Sequence, residues 1–323
     1  MKKIALMTSG GDAPGMNAAV RAIVKTCLNK GIVPFGIYDG YKGMMEGRAK
    51  NMTFSDVDNI IQCGGTVLGS ARSQEFRTPE GRQKAIAFLR EQDVEGLIVI
   101  GGDGTYAGAK VLGEEMNIPI IGLPGTIDND IYGTENTIGF DTALNTVISA
   151  VDKIRDTAGS HHRVFFVEVM GRDAGFIALH SAMACGAESV LIPEEVTDIQ
   201  KLVDDIKNQN KGRRSSIIIV AEGDDGGDAF EIMNKVKPFL PEYDLRHSVL
   251  GHIQRGGSPS AVDRIIATRM GNYAVELLQN GKSHLAVGIK GGELNTCPIA
   301  MAIKEHASPN LDHLKLIEAL RTK

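Results

Sequence analysis

Seven stretches of the chain are apolar without polar alternation: residues 4–7, 33–38, 97–100, 118–123, 164–169, 190–192 and 217–221. Runs of this kind suit strands of a parallel sheet buried on both faces. Between them lie segments with helical spacing and readable starts. Thr197 and Gln200 have capping-box spacing, after which Ile199, Leu202, Val203 and Ile206 fall on one face. Thr78-Pro79 and Ser258-Pro259 each place a hydroxyl before a proline suited to the first helical position. Strand–helix alternation over most of the length predicts an α/β fold, doubly wound around mainly parallel sheets.

The chain has 323 residues, long for one core, so two domains are expected. Charged residues make up 23% and the net charge is -5, without the basic field that nucleic acid or a membrane surface would demand. The four cysteines, Cys27, Cys63, Cys185 and Cys297, show neither zinc spacing nor a paired motif, which fits reduced thiols and a cytoplasmic protein. The apolar run 4–7 is too short for an export leader and is followed by Gly10-Gly11-Asp12; no window has the roughly 18 apolar residues of a membrane span.

The glycine-rich segments follow the apolar runs, where open α/β sheets bind ligands. The first is Thr8-Ser9-Gly10-Gly11-Asp12-Ala13-Pro14-Gly15-Met16-Asn17. Glycines there permit close backbone approach, and the N–H groups of a following helix attract anions. Gly101-Gly102-Asp103-Gly104-Thr105 repeats the arrangement and adds a carboxylate suited to Mg²⁺. Neither segment is a Walker A loop, and Gly102, Gly104 and Gly108 are too widely spaced for a dinucleotide fingerprint. In the third segment, Pro124-Gly125-Thr126-Ile127-Asp128-Asn129-Asp130, Asp128 is a candidate base for a substrate hydroxyl.

These three segments, with Val169-Met170-Gly171-Arg172 and Leu250-Gly251-His252-Ile253-Gln254-Arg255-Gly256-Gly257, closely resemble the ATP-dependent phosphofructokinase family, in family order and over essentially the whole chain. The resemblance implies two Rossmann-like domains. The larger, ATP-binding one would comprise 1–138 plus about 252–305, and the smaller, sugar-phosphate-binding one about 139–251 plus a C-terminal helix 306–323. It implies phosphoryl transfer from ATP-Mg to the 1-hydroxyl of fructose 6-phosphate. Gly11, Arg72, Ser73, Gly102, Asp103, Gly104 and Thr105 match ATP-site positions, with Asp103 as the magnesium ligand. Asp128 matches the proton acceptor, and Thr126, Arg72, Arg172 and Gly11 the other groups around the transfer. Ile127, Asp130, Arg163, Met170, Gly171, Glu222, Arg246, His252, Ile253, Gln254 and Arg255 match sugar-phosphate positions. Arg163 and Arg246 would serve the neighbouring subunit's site, implying a homotetramer with shared active sites.

ATP users of the family carry glycine at the positions of Gly104 and Gly125, where pyrophosphate users tend to carry aspartate and lysine; both are glycine here, which implies ATP. A second anion site is implied for ADP as activator and phosphoenolpyruvate as inhibitor. It would draw on Arg21, Ala22, Ile23, Val24, Lys25, Arg155, Gly186, Ala187, Glu188, Lys211, Arg213, Arg214 and Ser215, with Phe54 to Asn59 in the effector-nucleotide segment. Asp224-Asp225-Gly226-Gly227-Asp228 lacks EF-hand order and reads as a solvated turn. Three other functions compete: a nicotinamide oxidoreductase using Asp39 on a ribose, a non-catalytic nucleotide sensor, and a kinase of another small phosphorylated sugar.

Overall fold

The computed structural model describes residues 1–161, 163–209 and 215–320. Its strands are β1 (Lys3–Thr8), β2 (Val33–Ile37), β3 (Ala49–Asn51), β4 (Gly96–Gly101), β5 (Ile120–Pro124), β6 (Arg163–Val169), β7 (Ser189–Leu191), β8 (Ser216–Ala221), β9 (Asp244–Val249), β10 (Leu285–Lys290) and β11 (Glu293–Pro298). The helices are α1 (Met16–Asn29), α2 (Gly40–Met45), α3 (Pro79–Glu91), α4 (Asp103–Met116), α5 (Phe140–His161), α6 (Phe176–Cys185), α7 (Ile199–Gln209), α8 (Ala229–Val236), α9 (Ala261–Gln279), α10 (Ile299–Lys304) and α11 (Asp312–Ala319). No described helix is long and apolar enough to cross a membrane.

Two compact units emerge. The first holds Met1–Ile127, Ile131–Thr142 and Arg255–Ala307; the second holds Asp128–Asp130, Ala143–Gln254 and Ser308–Lys323. The division falls at 142/143, 254/255 and 307/308, and Asp128–Asp130 groups with the second unit.

In the first unit the sheet order is β11-β10-β5-β4-β1-β2-β3. Its five central strands are parallel, and antiparallel pairs close both edges. All six residues of β4 are buried, as expected of a central parallel strand. The chain leaves β1 towards β2 on one side and β4 towards β5 on the other, so the order reverses between β1 and β4. That switch point is where doubly wound sheets bind ligands. On one sheet face α1 packs against α9; the other carries α2, α3, α4 and α10 over a core that includes Met7, Phe35, Leu97, Val99 and Tyr106.

The second unit has a four-stranded sheet, β7-β8-β6-β9, with every pair parallel. Phe166, Ile218 and Val220 form its core with Leu202, Val203 and Ile206 of α7 and Ile232 and Val236 of α8.

All seven apolar stretches are strands, and the expected apolar stripe of α7 is buried. Two helix starts differ from expectation. At α7 the cap is Asp198, whose Oδ1 accepts from Lys201 N at 3.0 Å, while Thr197 Oγ1 donates to Asp224 Oδ1 at 2.7 Å. At α9 the cap is Ser260, accepting from Asp263 N at 3.2 Å, two residues beyond Ser258. Thr78 does cap α3, accepting from Gly81 N at 3.1 Å with Pro79 in the first turn. The acidic turn at 224–228 is not simply solvated. Asp224 is buried and accepts from Thr197 and Gly226, and burial raises its carboxyl above the ordinary range. Asp228 caps α8 in a capping box with Glu231.

Candidate active site

In the first unit the glycine segments meet at the switch point. The first leaves β1 at Thr8, and the second leaves β4 at Gly101 and opens α4 at Asp103. Ser9 N donates to Ile100 O at 3.0 Å, and Thr105 Oγ1 donates to Ser9 O at 3.0 Å, so the two turns are fixed to each other. Ser70 Oγ donates to Gly10 O, tying in the segment that precedes Arg72 and Ser73. Arg72 is exposed, and Ser73 Oγ accepts from Phe76 N at 3.2 Å. Gly11 and Gly104 are exposed, Gly102 and Asp103 half-buried, and Thr105 buried. Backbone N–H groups at the start of α4 and an open glycine turn beside them form a ready anion site.

The glycines differ in why they are glycine. A Cβ on Gly104 would meet nothing within 4 Å. One on Gly125 would lie 2.9 Å from both Ile100 Cγ2 and Met16 Cε. Packing in this chain therefore favours glycine at Gly125, so donor choice is separable from packing only at Gly104. At Gly11 the nearest atom to an added Cβ would be Arg255 Nη1, at 2.6 Å. That guanidinium also donates to Asp12 O at 3.3 Å, which places Arg255 beside the first glycine turn.

Two residues missed by sequence reasoning belong to this half. His306 has Nδ1 3.6 Å from Asp103 Oδ2. Tyr41 donates from its hydroxyl to Thr105 O at 2.5 Å and stacks on Phe76 with centroids 4.0 Å apart. Neither lies in a glycine motif, so no local signal marked them. Asp39, the ribose acid of the oxidoreductase reading, is paired with Arg48.

After β5 the chain passes Thr126 and Ile127, both buried, with Thr126 O accepting from Thr137 Oγ1 at 2.6 Å. In the second unit Asp128 is almost wholly buried and faces Arg172, whose Nε is 3.6 Å from Asp128 Oδ2. Glu222 Oε1 accepts from Arg172 N at 2.9 Å and Gly171 N at 3.3 Å. Glu222, which the resemblance puts among the sugar-phosphate positions, thus fixes the backbone that presents Arg172. Gln254 departs from expectation: it is fully buried, accepts from Met170 N at 3.2 Å and donates to Gly251 O at 2.9 Å. Its side chain braces the loop. His252 and Ile253 beside it are exposed, Asp130 is half-buried and Met170 is buried. Arg163 and Arg246 converge on Asp244, a third residue that sequence reasoning missed.

Of the expected effector residues, Arg21 and Lys25 lie four apart on α1 and are half-buried, whereas Ala22, Ile23 and Val24 are packed into the core and cannot offer side chains. Lys25 Nζ is 3.3 Å from Asp58 Oδ1 and 6.0 Å from the centre of the exposed Phe54 ring. In the second unit Arg155 donates to the carbonyls of Cys185 and Gly186 at 2.8 and 3.1 Å and pairs with Glu188 at 3.5 Å. Glu188, which the resemblance puts in the second anion site, is buried, and its Oε2 accepts from Ile217 N at 2.6 Å. Ala187 is buried, Gly186 exposed and Ser215 half-buried; Lys211, Arg213 and Arg214 lie outside the described residues.

A family model described as phosphofructokinase matches residues 3–278. ATP-dependent 6-phosphofructokinase 1 of Thermus thermophilus is 51% identical over 321 residues, covering 99% of each chain. ATP-dependent 6-phosphofructokinase 2 of Bacteroides thetaiotaomicron is 49% identical over 321 residues, 99% of this chain and 98% of its own. Among solved structures, phosphofructokinase from Saccharomyces cerevisiae matches with a TM-score of 0.89 at 38% identity, over 94% of this chain and 45% of the yeast chain. This chain thus spans less than half the length of that yeast chain. With the glycine turns at the switch point of its first sheet and full-length kinship to such relatives, the chain belongs to the phosphofructokinase family.

Proposed function

We propose that the chain transfers the γ-phosphoryl group of ATP to the 1-hydroxyl of D-fructose 6-phosphate, giving fructose 1,6-bisphosphate and ADP. One observation carries the reading. Asp128, a buried carboxylate, is held beside the cation Arg172, in a chain whose relatives at about half identity are named for ATP and fructose 6-phosphate chemistry.

Phosphoryl transfer needs positioning and charge neutralisation more than covalent help. The N–H groups of Gly11 and of the turn from Gly102 to Thr105 hold the nucleotide phosphates, with Arg72 and Ser73 at their flank. Asp103 fits a magnesium ligand: its carboxylate is a hard oxygen donor, one-third exposed, at the opening of α4. A magnesium ion held by Asp103 would offset the charge of the nucleotide phosphates. Asp128 accepts the proton of the sugar 1-hydroxyl as that oxygen bonds to the γ-phosphorus and the bond to the ADP oxygen breaks. Proton acceptance of this kind is worth about 10²–10⁴-fold in rate. Arg172 balances the carboxylate and offers N–H groups to the transferring oxygens. Thr126, Ile127 and Asp130 frame the acceptor; Met170, Gly171, Glu222, His252 and Ile253 line the sugar, with Arg255 at the first glycine turn.

Steady-state formation of fructose 1,6-bisphosphate tests this, with pyrophosphate replacing ATP in parallel and Asp128→Asn as control. ATP-dependent product that is lost in the variant is expected. Activity with pyrophosphate alone would keep the family and overturn the donor, and no product with either donor would overturn the reaction.

The same reading makes the chain a homotetramer in which Arg163 and Arg246 serve a neighbour's substrate, with ADP and phosphoenolpyruvate acting on the set around Arg21, Lys25 and Arg155. Apolar side chains left exposed on α9 (Val262, Ile265), and in the second unit on α8 and β9 (Phe230, Val249), support burial by further copies. Sigmoidal dependence on fructose 6-phosphate, relieved by ADP, is expected. Hyperbolic kinetics indifferent to both effectors would remove the regulatory part.

A further inference from the structure

β9 is an edge strand, and it places a carboxylate between two arginines. β6 and β9 run parallel with Arg163 opposite Asp244 and Phe165 opposite Arg246. Side chains alternate along a strand, so Asp244 and Arg246 project from one face and Leu245 from the other, towards the core. Arg163 Nε donates to Asp244 Oδ2 at 2.7 Å. Arg246 Nη2 lies 3.0 Å from Oδ1 and 3.3 Å from Oδ2 of the same carboxylate. One short acid therefore engages both guanidinium groups, through the Nε edge of Arg163 and a single terminal nitrogen of Arg246.

Two adjacent guanidinium groups repel each other, and two long side chains left to themselves sample many rotamers. An acid between them offsets the repulsion and fixes their spacing. It is anchored on a two-bond stem in a strand, which restricts its own motion. Its hydrogen bond to Arg163 and the nearby charges hold its carboxyl below the ordinary carboxylate range, so it stays ionised near neutral pH. The Nη1–Nη2 end of Arg163, the end that forks onto phosphate oxygens, points away from the nitrogen already used.

We propose that Asp244 is the positioning residue of the sugar-phosphate anion site: it aligns Arg163 and Arg246 before substrate arrives, so that both bind one phosphate group. This rests on the reading of those two arginines as ligands of the 6-phosphate. Asp244 touches no reacting atom; it acts through the arginines, lowering the ordering cost of binding.

The test is steady-state kinetics of the full chain carrying Asp244→Asn, Asp244→Glu, Arg246→Ala, or Asp244→Asn with Arg246→Ala. Asp244→Asn is nearly isosteric; it removes the charge and turns one of the two acceptor oxygens into a donor. It is expected to raise the half-saturating fructose 6-phosphate about tenfold, the scale of one charge-assisted hydrogen bond, and to leave that for ATP-Mg within about twofold. Asp244→Glu keeps the carboxylate and is expected to recover at least about half of the loss on a logarithmic scale. In the double variant Asp244→Asn should add less to Arg246→Ala than it costs alone, because one of the two groups it positions is gone while Arg163 remains. Inorganic phosphate, used as a competitor of the sugar phosphate, should weaken in Asp244→Asn by the same factor as the substrate.

If Arg246→Ala weakens fructose 6-phosphate and Asp244→Asn does not, the positioning role falls and the substrate reading stands. If Arg246→Ala itself changes nothing, the substrate reading falls and takes the inference with it. Tighter binding in Asp244→Asn would show the carboxylate competing with phosphate and overturn the proposal. Equal losses in Asp244→Asn and Asp244→Glu would also overturn it, by pointing to general damage to the strand.

Discussion

Arg172 holds its guanidinium Nε 3.6 Å from Asp128 Oδ2, with the arginine 56% exposed and the carboxylate 3% exposed. The contact joins a buried carboxylate to a cation that still reaches solvent. Arg172 has a left-handed backbone, φ 52°, and follows Gly171 at φ 146°. A non-glycine residue keeps such a conformation only where its surroundings impose it. Here they do: Glu222 Oε1 takes both backbone N–H groups of the turn.

Removing that cation is expected to cost turnover more than substrate affinity. Arg172→Ala should lower kcat by about 10²-fold, the scale of losing one preorganised donor to developing charge. Arg172→Lys restores the charge without the planar fork and should recover only part of the rate. Initial-rate measurements at saturating ATP-Mg and fructose 6-phosphate check both. Equal kcat in wild type and Arg172→Ala would show that the pair is structural.

Gly104 and Gly125 predict opposite failures. A Cβ added at Gly104 meets nothing within 4 Å, so Gly104→Asp should fold normally and lose ATP use, because the new carboxylate projects into the open space beside the proposed phosphate site. Gly125→Ala should lose about 1–3 kcal/mol of stability, the usual cost of overpacking, since its Cβ would press on Ile100 and Met16. Denaturant melts paired with ATP kinetics separate the two. Unchanged ATP kinetics in Gly104→Asp would defeat the steric account of donor choice.

The aromatic brace under the second glycine turn gives a further test. Tyr41 links Phe76, in the segment after Arg72 and Ser73, to the carbonyl of Thr105 in the first turns of α4. It also explains Gly108, where an added Cβ would lie 2.8 Å from the Tyr41 ring. Tyr41→Phe keeps the stack and removes the buried hydrogen bond. A loss of about 1 kcal/mol and a severalfold rise in half-saturating ATP-Mg are expected, with that for fructose 6-phosphate unmoved. An unchanged ATP dependence would make the brace a matter of stability alone.

The buried strands were legible because a strand covered on both faces has no polar alternation; β4 and β8 carry none. β9 was not, because its polar residues Asp244, Arg246 and His247 interrupt any apolar run. β3 and β11 are edge strands with the same difficulty. β10 is apolar from Leu285 to Ile289 and could have been found. The glycine turns and Asp128 were legible because their chemistry is local in sequence. Tyr41, His306 and Asp244 act across distances of many residues, which no local pattern reports. Gln254 shows the converse: it sits inside a recognisable motif, yet burial gives its side chain to the scaffold.

His180 supplies a pH dependence whose sign can be worked out. Its Nδ1 is 2.8 Å from Phe176 O in α6, and its ring meets the edge of His313 with centroids 5.6 Å apart. Burial, the largest influence, lowers its pKa below the ordinary 6.5, and His313 adds to the effect. The unfolded chain therefore binds this proton more readily than the folded one. The resulting stability is fully present above about pH 6.5 and is lost as pH falls through the folded pKa. His180→Gln removes the titration, so its melting midpoint should fall less than that of wild type between about pH 7.5 and about pH 5. Parallel pH profiles for the two proteins would show that His180 does not carry this acid sensitivity.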